Sequence, residues 1–190
     1  MRRGVVVAAA IVLAGAAGCT HNPDLHDPAP TFTHVDTAPA FDTSEPRALA
    51  GWADAIFAGT VLERSGSASR TALPETQFRV EVIATLKGDL GHVVTVNQEG
   101  GNVPGTNEIV VVDGDPLIAA GTSYLFATRY SPEMDWYTIA SGVGDIELTA
   151  DEMRAVRAGA RAPGAPEPEQ IKKMRDAIAG QIPFRGAQHP

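Results

Sequence analysis

The chain has 190 residues with 15 basic and 23 acidic side chains, which gives a formal net charge of −8 at neutral pH. The length suits one compact domain with appendages, and an acidic chain of this kind is a poor candidate for binding nucleic acid or anionic lipid headgroups, because both repel it. A single cysteine excludes an internal disulfide.

Residues 1–18 have the pattern of an export signal. Met1 is followed by two arginines, and the apolar stretch from residue 4 to residue 17 carries no charge. This stretch is shorter than the roughly 20 residues that a membrane-spanning helix needs. Ala16, Ala17 and Gly18 then lead into Cys19, the only cysteine.

The sequence around Cys19 resembles the lipobox of bacterial lipoproteins, although Ala16 stands where that family prefers leucine. The resemblance implies that the Cys19 thiol receives a diacylglycerol and that cleavage makes the lipidated cysteine the new N-terminus. The protein would then be anchored in the lipid bilayer, on the extracytoplasmic face of the cell membrane. The alternative is an ordinary secretory signal cleaved near Ala17, with Cys19 left as a free thiol.

Residues 19–46 are predicted to form a disordered tether between the anchor and the folded part. Prolines recur among Thr, Asp and Ala, with few large apolar residues. Such a segment cannot bury enough surface to offset the entropy lost on ordering. Three histidines lie in it beside aspartates, but their spacing matches no preorganised metal site. We therefore predict neither a metal nor a cofactor.

Residues 47–148 are predicted to form a domain of short strands separated by turns, after a short helix that begins at Pro46. The strand that starts near Ile56 is apolar almost throughout, which indicates that both of its faces are covered. The clearest strand spans residues 76–87, where apolar and polar side chains alternate. This pattern is typical of an antiparallel barrel or sandwich.

Three short motifs in this domain resemble the tissue-inhibitor-of-metalloproteinases-like superfamily. They are Gly59-Thr60-Val61 in the first strand, Lys87-Gly88 after a long strand, and Gly121 followed by Tyr124-Leu125-Phe126. The resemblance covers about residues 53–148 and implies a mainly β fold, a five-stranded antiparallel OB-like Greek-key barrel. The animal inhibitors chelate zinc through an N-terminal cysteine ridge that this chain lacks, so their mechanism is not implied.

Residues 149–190 are predicted to form a tail of short helices. Thr149 and Glu152 have capping-box spacing, and Ile171, Met174 and Ile178 form one apolar stripe on a second helix. We expect these helices to pack on the barrel. The alternatives are a helix that binds a partner and a loosely held tail.

The chain shows no motif of a known catalytic site. It has no G-x-S-x-G, H-E-x-x-H or C-x-x-C sequence and no phosphate-binding glycine loop. We therefore expect a non-catalytic barrel that binds a protein or another cell-envelope partner through its loops. The candidate contact residues are Glu99, Asn102, Trp136 and Tyr137, although an aromatic residue at strand spacing is otherwise part of the core.

Two further functions remain open. The first is a hydrolase that uses acidic residues near His92, the one histidine of the predicted domain. Glu99, Asp113, Asp115 and Asp135 lie at predicted strand ends, and this function requires His92 within hydrogen-bond reach of a carboxylate inside a pocket. The second is binding of envelope glycans or cations by the acidic domain.

The lipoprotein hypothesis predicts the behaviour of the Cys19→Ala variant. Without the thiol no lipid can be attached, so the protein should move from the membrane fraction to the soluble fraction and take up no labelled palmitate. Fractionation and fatty-acid labelling of cells that produce either form measure both effects. A Cys19→Ala protein that stays in the membrane fraction, beside a parent chain without label, would refute lipidation.

Overall fold

A computed structural model describes residues 29–39, 41–70, 72–162 and 166–186 of the chain. The predicted signal peptide and Cys19 lie outside the described residues. The described part is mainly β, as the sequence predicts, and it contains no helix long and apolar enough to cross a membrane. Its elements in chain order are β1 (Thr31–Val35), α1 (Pro46–Trp52), β2 (Ala55–Ala68), β3 (Glu75–Lys87), β4 (Val93–Glu99), β5 (Gly101–Asn102), β6 (Glu108–Val112), β7 (Ser123–Ser131), β8 (Trp136–Ile139), β9 (Asp145–Leu148), α2 (Ala150–Arg161) and α3 (Glu169–Ala179).

Five strands close into a ring in the order β2, β3, β4, β8 and β7. Four of the five pairings are antiparallel, whereas β4 and β8 pair parallel through Val96↔Tyr137 and Asn97↔Thr138. The prediction of a wholly antiparallel barrel is therefore wrong at this pair. Three strands intervene between β4 and β8, and a long connection permits parallel pairing where a tight hairpin does not.

Strand β7 pairs with three other strands, more than any other strand of the ring. One of its edges pairs with β2, from Ser123↔Thr60 to Thr128↔Ala55. Its other edge is divided between two strands, because β9 pairs with Ser123–Phe126 and β8 pairs with Thr128–Ser131. Strand β7 therefore closes the ring through β2 and also holds the last strand, β9.

Both faces of β2 are buried over residues 55–59, which explains the nearly continuous apolar sequence at the start of this strand. Ala55 and Phe57 belong to a cluster with side chains from all five ring strands, so this cluster fills the interior of the ring. Ile56 and Ala58 point the opposite way, since side chains alternate along a strand. They join a second cluster on the outside of the ring.

The three helices cover the outside of the ring, as expected for the C-terminal helices. Leu49 of α1, Val156 of α2 and Ile171 of α3 are buried in the cluster that contains Ile56. Helix α2 begins with the predicted capping box, in which the hydroxyl of Thr149 accepts from the backbone N–H of Glu152 while the Glu152 carboxylate accepts from Thr149. Packing on the ring thus accounts for the apolar faces of the tail.

The tether prediction is wrong over Thr31–Val35, because these residues form strand β1. They pair parallel with β6 in a three-stranded sheet of order β1-β6-β5. The low apolar content of this segment limits only the surface that its side chains can bury, whereas β1 is held by main-chain hydrogen bonds to the edge of another strand. Strands β5 and β6 belong to this second sheet and lie outside the ring.

Replacing Phe126 by alanine should strongly destabilise the fold. Its ring is fully buried, 5.1 Å from the ring centre of Phe57 and 5.5 Å from that of Tyr124. The lost burial and the remaining cavity should lower the free energy of unfolding by about 3–5 kcal/mol, measured by urea titration. Phe32→Ala is the matched control, because Phe32 is 57% exposed, and it should cost less than about 1 kcal/mol. Equal losses would contradict the assignment of the core.

Candidate functional site

The structure places His92 on an open surface. Its side chain is 78% exposed, and its Nε2 lies 3.5 Å from Oε1 of Glu81, which also faces Arg157 at 3.6 Å. His92 lines none of the three clefts found among the described residues. The carboxylate that the hydrolase hypothesis requires is therefore present, but the enclosed pocket around the pair is not found in the described part.

The four candidate contact residues do not form one surface. Trp136 is only 6% exposed, so it belongs to the interior rather than to a binding loop. Tyr137 is half-buried, with its ring centre 4.9 Å from that of Tyr130. Asn102 is exposed and accepts a 3.5 Å hydrogen bond from Arg64, away from Glu99. Of the four, Glu99 alone lines a cleft.

Trp136 is buried beside a polar network that the sequence analysis missed. The carboxylate of Glu75 is 2% exposed and accepts from Arg70 Nε at 2.8 Å and Nη2 at 2.6 Å, while the guanidinium lies 4.7 Å from the centre of the Trp136 ring. Asn97 Nδ2 donates to the same carboxylate at 3.0 Å. Burial alone would raise the pKa of Glu75, but these hydrogen bonds outweigh it and hold the pKa below its ordinary value.

This buried network supports the back of the candidate site. Asn97 accepts from Gln77 at 2.7 Å and also donates to the hydroxyl of Thr138 at 3.3 Å. Thr138 lies on β8 and lines the cleft that contains Glu99. Because Asn97 is bonded on all these sides, it fixes β8 against β4 at the position where the two strands pair parallel.

The cleft has a volume of about 450 Å³ and lies where five parts of the chain meet. Its described walls come from the segment after β1 (Thr37, Phe41 and Thr43), the end of α1 (Trp52), the ends of β4 and β6 (Glu99 and Asp113), and residues 138–143. Glu99 and Asp113 are the only charged residues in this described lining, and both are acidic. Small-molecule and side-chain pockets typically have volumes in this range.

Hydrogen bonds hold both carboxylates of the cleft in place. Glu99 accepts from the hydroxyl of Ser141 at 3.0 Å. Asp113 accepts from the backbone N–H and the hydroxyl of Thr37, each at 2.6 Å. Each carboxylate still has lone pairs for a further donor. Opposite them, the ring centres of Phe41 and Trp52 lie 5.2 Å apart and form an apolar wall. The arrangement suits a ligand that is cationic and partly apolar.

Two further carboxyl groups, Asp115 and Asp145, are hydrogen-bonded to each other next to the cleft. Burial, and then the charge of Asp115, raise the pKa of Asp145 to about 8, and burial raises the pKa of Asp115 as well, so the two carboxyl groups share one proton. Asp115 also accepts from the backbone N–H of Gly142 at 3.3 Å and from Gln98 at 3.4 Å. The pair therefore joins the turn after β6 to the loop after β8.

The acidic side chains do not form a metal site. Within the described ranges, no group of three or more His, Cys, Asp or Glu side chains is arranged to hold a metal ion. Asp115 was predicted as an acidic residue at the end of a strand, whereas Asp145 was not identified from the sequence. Thirty residues separate the two positions, and no local pattern marks them as a pair.

The protonated pair should make stability depend on pH. The pKa of Asp145 is about 8 in the folded chain against 3.8 for an ordinary aspartate. The folded state therefore binds more protons between these values, and its stability falls as the pH rises from about 4 to 8. An Asp145→Asn variant keeps the hydrogen-bond donor without an ionisable group. We expect it to be more stable than the parent by about 1–3 kcal/mol at pH 8 and equal to it near pH 4.

Urea unfolding between pH 4.5 and 8.5, followed by tryptophan fluorescence, measures this dependence. Asp151→Asn is the control, because the Asp151 side chain is 85% exposed and its only ion pair is with Arg154 on the same helix. This control should leave the slope of stability against pH unchanged. A parent and an Asp145→Asn variant with the same slope would show that the pair does not share a proton.

The chain matches no protein-family model, and no curated protein is significantly similar to it in sequence. The likeness to the lipobox and to the metalloproteinase-inhibitor-like barrel therefore rests on the motifs quoted above. The function has to be argued from the geometry of the cleft.

Proposed function

We propose that the protein is a lipid-anchored extracytoplasmic binding module. In this proposal, acylated Cys19 holds the chain on the cell membrane, and the folded domain is a non-catalytic OB-like barrel. The barrel binds a protein partner of the cell envelope through the cleft that contains Glu99 and Asp113. The charge of this cleft is the observation that carries the proposal.

The order of strands in the ring supports the OB-like assignment. Numbered within the ring as strands one to five, β2, β3, β4, β7 and β8 pair so that strand one neighbours strand four and strand three neighbours strand five, as expected for an OB-like Greek-key barrel. The quoted motifs also lie at constrained positions. A side chain at Gly59 would approach the backbone oxygen of Glu81 to 2.8 Å, and Gly121 has a positive φ of 81°.

The cleft favours binding over hydrolysis. Glu99 and Asp113 are held by hydroxyl donors, and no histidine lines the described walls. A basic side chain of a partner would meet both carboxylates with its charged end and the Phe41–Trp52 wall with its methylene groups. Arg129 lies 5.8 Å from the Trp52 ring, so one face of that wall already packs against a cation.

An envelope glycan is the second candidate ligand. Aromatic rings accept the apolar face of a sugar, and carboxylates accept its hydroxyl donors, so the same wall and the same two acids would serve. Hydroxyl groups of Thr37, Thr43, Thr138 and Ser141 line the cleft as well. A protein partner ranks first because the only charges in the described lining are negative, whereas a neutral sugar does not need them.

Site-specific photocrosslinking in living cells tests the proposal. A photoreactive phenylalanine analogue replaces Thr43, which is exposed and lines the cleft, and the control position is Lys173 on α3, which is 73% exposed. We expect a discrete protein adduct from position 43 in the membrane fraction and none from position 173. Glu99→Gln should reduce the adduct about fivefold, as for the loss of ~1 kcal/mol from a half-exposed ion pair.

Three results would contradict the proposal or change it. The absence of any adduct from position 43, or the same adduct from both positions, would argue against a binding cleft. An adduct that survives Glu99→Gln unchanged would argue against recognition of a cation. An adduct with wall polysaccharide in place of a protein would transfer the proposal to the glycan ligand.

A further inference from the structure

Strand β1 is attached to the domain almost entirely through its main chain. It pairs with β6 residue by residue, from Thr31↔Glu108 to Val35↔Val112. Its largest side chain, Phe32, is 57% exposed, and no residue of β1 belongs to either buried cluster of the described part. Main-chain hydrogen bonds do not depend on the sequence of the added strand, so β6 can accept another strand in the same way.

Strand β6 has its own support without β1. Val110 and Val112 are buried, and β5 pairs with β6 on the opposite edge. The backbone at Gly100 approaches this strand so closely that an added side chain would lie 2.9 Å from the oxygen of Val110. Removal of β1 would therefore expose the N–H and C=O groups of a strand that is already formed, which is the usual template for strand addition.

Acidic side chains flank the edge of β6 that β1 occupies. Glu108 begins β6 and accepts from the hydroxyl of Thr33, and Asp113 follows its end and accepts from Thr37. A strand with basic residues at the positions of Thr33 and Thr37 would offer charged donors to the same two carboxylates. Such charge-assisted hydrogen bonds are about twice as strong as neutral ones.

The position of β1 also controls one wall of the cleft. Thr37 and Phe41 come soon after β1 in the chain and line the cleft. The two hydrogen bonds from Thr37 to Asp113 connect this segment to the acidic side of the cleft. When β1 leaves β6, this wall loses the strand that leads into it. Occupation of the β6 edge and access to the cleft are therefore coupled.

From this geometry we propose that the edge of β6 is a docking site for an extended basic segment of the protein partner. The segment adds parallel to β6 in place of β1, with basic side chains at Glu108 and Asp113. One set of main-chain hydrogen bonds replaces another, so the charged contacts at Glu108 and Asp113 have to offset the entropy that a separate molecule loses on association. The inference rests on the proposed function, because it describes how a protein partner reaches the same site.

The test uses the full purified chain with Cys19→Ala and the cysteine pair His34→Cys and Val111→Cys. These two residues are register partners on β1 and β6, and neither belongs to a buried cluster. Oxidation of the pair locks β1 in place, and reduction of the same protein is the matched control. The probe is a fluorescent peptide with the sequence of residues 29–39 that carries lysine in place of Thr33 and Thr37.

We expect the reduced protein to bind this peptide at least about tenfold more tightly than the oxidised protein, by fluorescence anisotropy. The unsubstituted peptide should bind the reduced protein less tightly than the lysine peptide, and Glu108→Gln should reduce this difference. Equal binding to the reduced and oxidised proteins, or binding to neither, overturns the proposal. Preference for the unsubstituted peptide would overturn the basic character of the partner segment.

Hydrogen exchange on the Cys19→Ala chain without the cysteine pair gives an independent measurement. If β1 detaches locally, the amides of β6 that bond to β1 exchange faster than amides between β2 and β3, which open only with the whole domain. Equal exchange of both groups would show that β1 is an integral strand and would overturn the proposal. These measurements on purified protein can fail while cells still yield the Thr43 adduct, so they separate failure of strand exchange from failure of the proposed function.

Discussion

The pairing of β2 with β7 closes the ring, and the position of every other element follows from this closure. Phe57 and Phe126 are register partners in this pair and stack inside the ring, so the backbone ladder and the core select the same register. A shift of β2 by one residue would turn Phe57 outward and bring Ile56 inward, so the two rings would no longer meet. The opposite edge of β7 then fixes β8 and β9, and through them the loop that carries Ser141.

The cleft is the result of this closure and of two groups of carboxyls, one buried and one half-buried. On one side, the network of Glu75 and Asn97 holds β8 against β4 and keeps the back of the cleft in place. On the other side, Asp145 and Asp115 share a proton and join the loop after β8 to the turn after β6. One carboxylate is kept charged by Arg70, and the other pair is kept partly neutral by burial. Glu99 and Asp113 belong to neither group, and their carboxylates are the charges that line the cleft.

Local patterns predicted the features that depend on neighbouring residues. The apolar run of β2 and the capping box of α2 have their causes within a few residues of sequence, and both occur in the structure. The predicted alternation along β3 is wrong over most of the strand, because Gln77 is buried beside Phe78, and Ile83 packs in the same outer cluster as Ala84. Features that depend on distant partners were missed. Strand β1 needs the edge of β6, and Asp145 needs Asp115, so no local pattern identifies either. Trp136 was proposed as a contact residue because its neighbours in the sequence do not show that it is buried. In the structure it packs against Arg70, which comes from a different part of the chain.

Strand β1 has a consequence for the distance between the folded domain and the membrane. If Cys19 carries the lipid, about 12 residues separate the anchor from Thr31, whereas about 27 separate it from Pro46, where α1 begins. A fully extended chain spans at most ~3.5 Å per residue, so the domain can rise about 40 Å above the bilayer with β1 paired and about 90 Å with β1 released. In that case, a single short parallel strand sets how far the cleft can lie from the membrane.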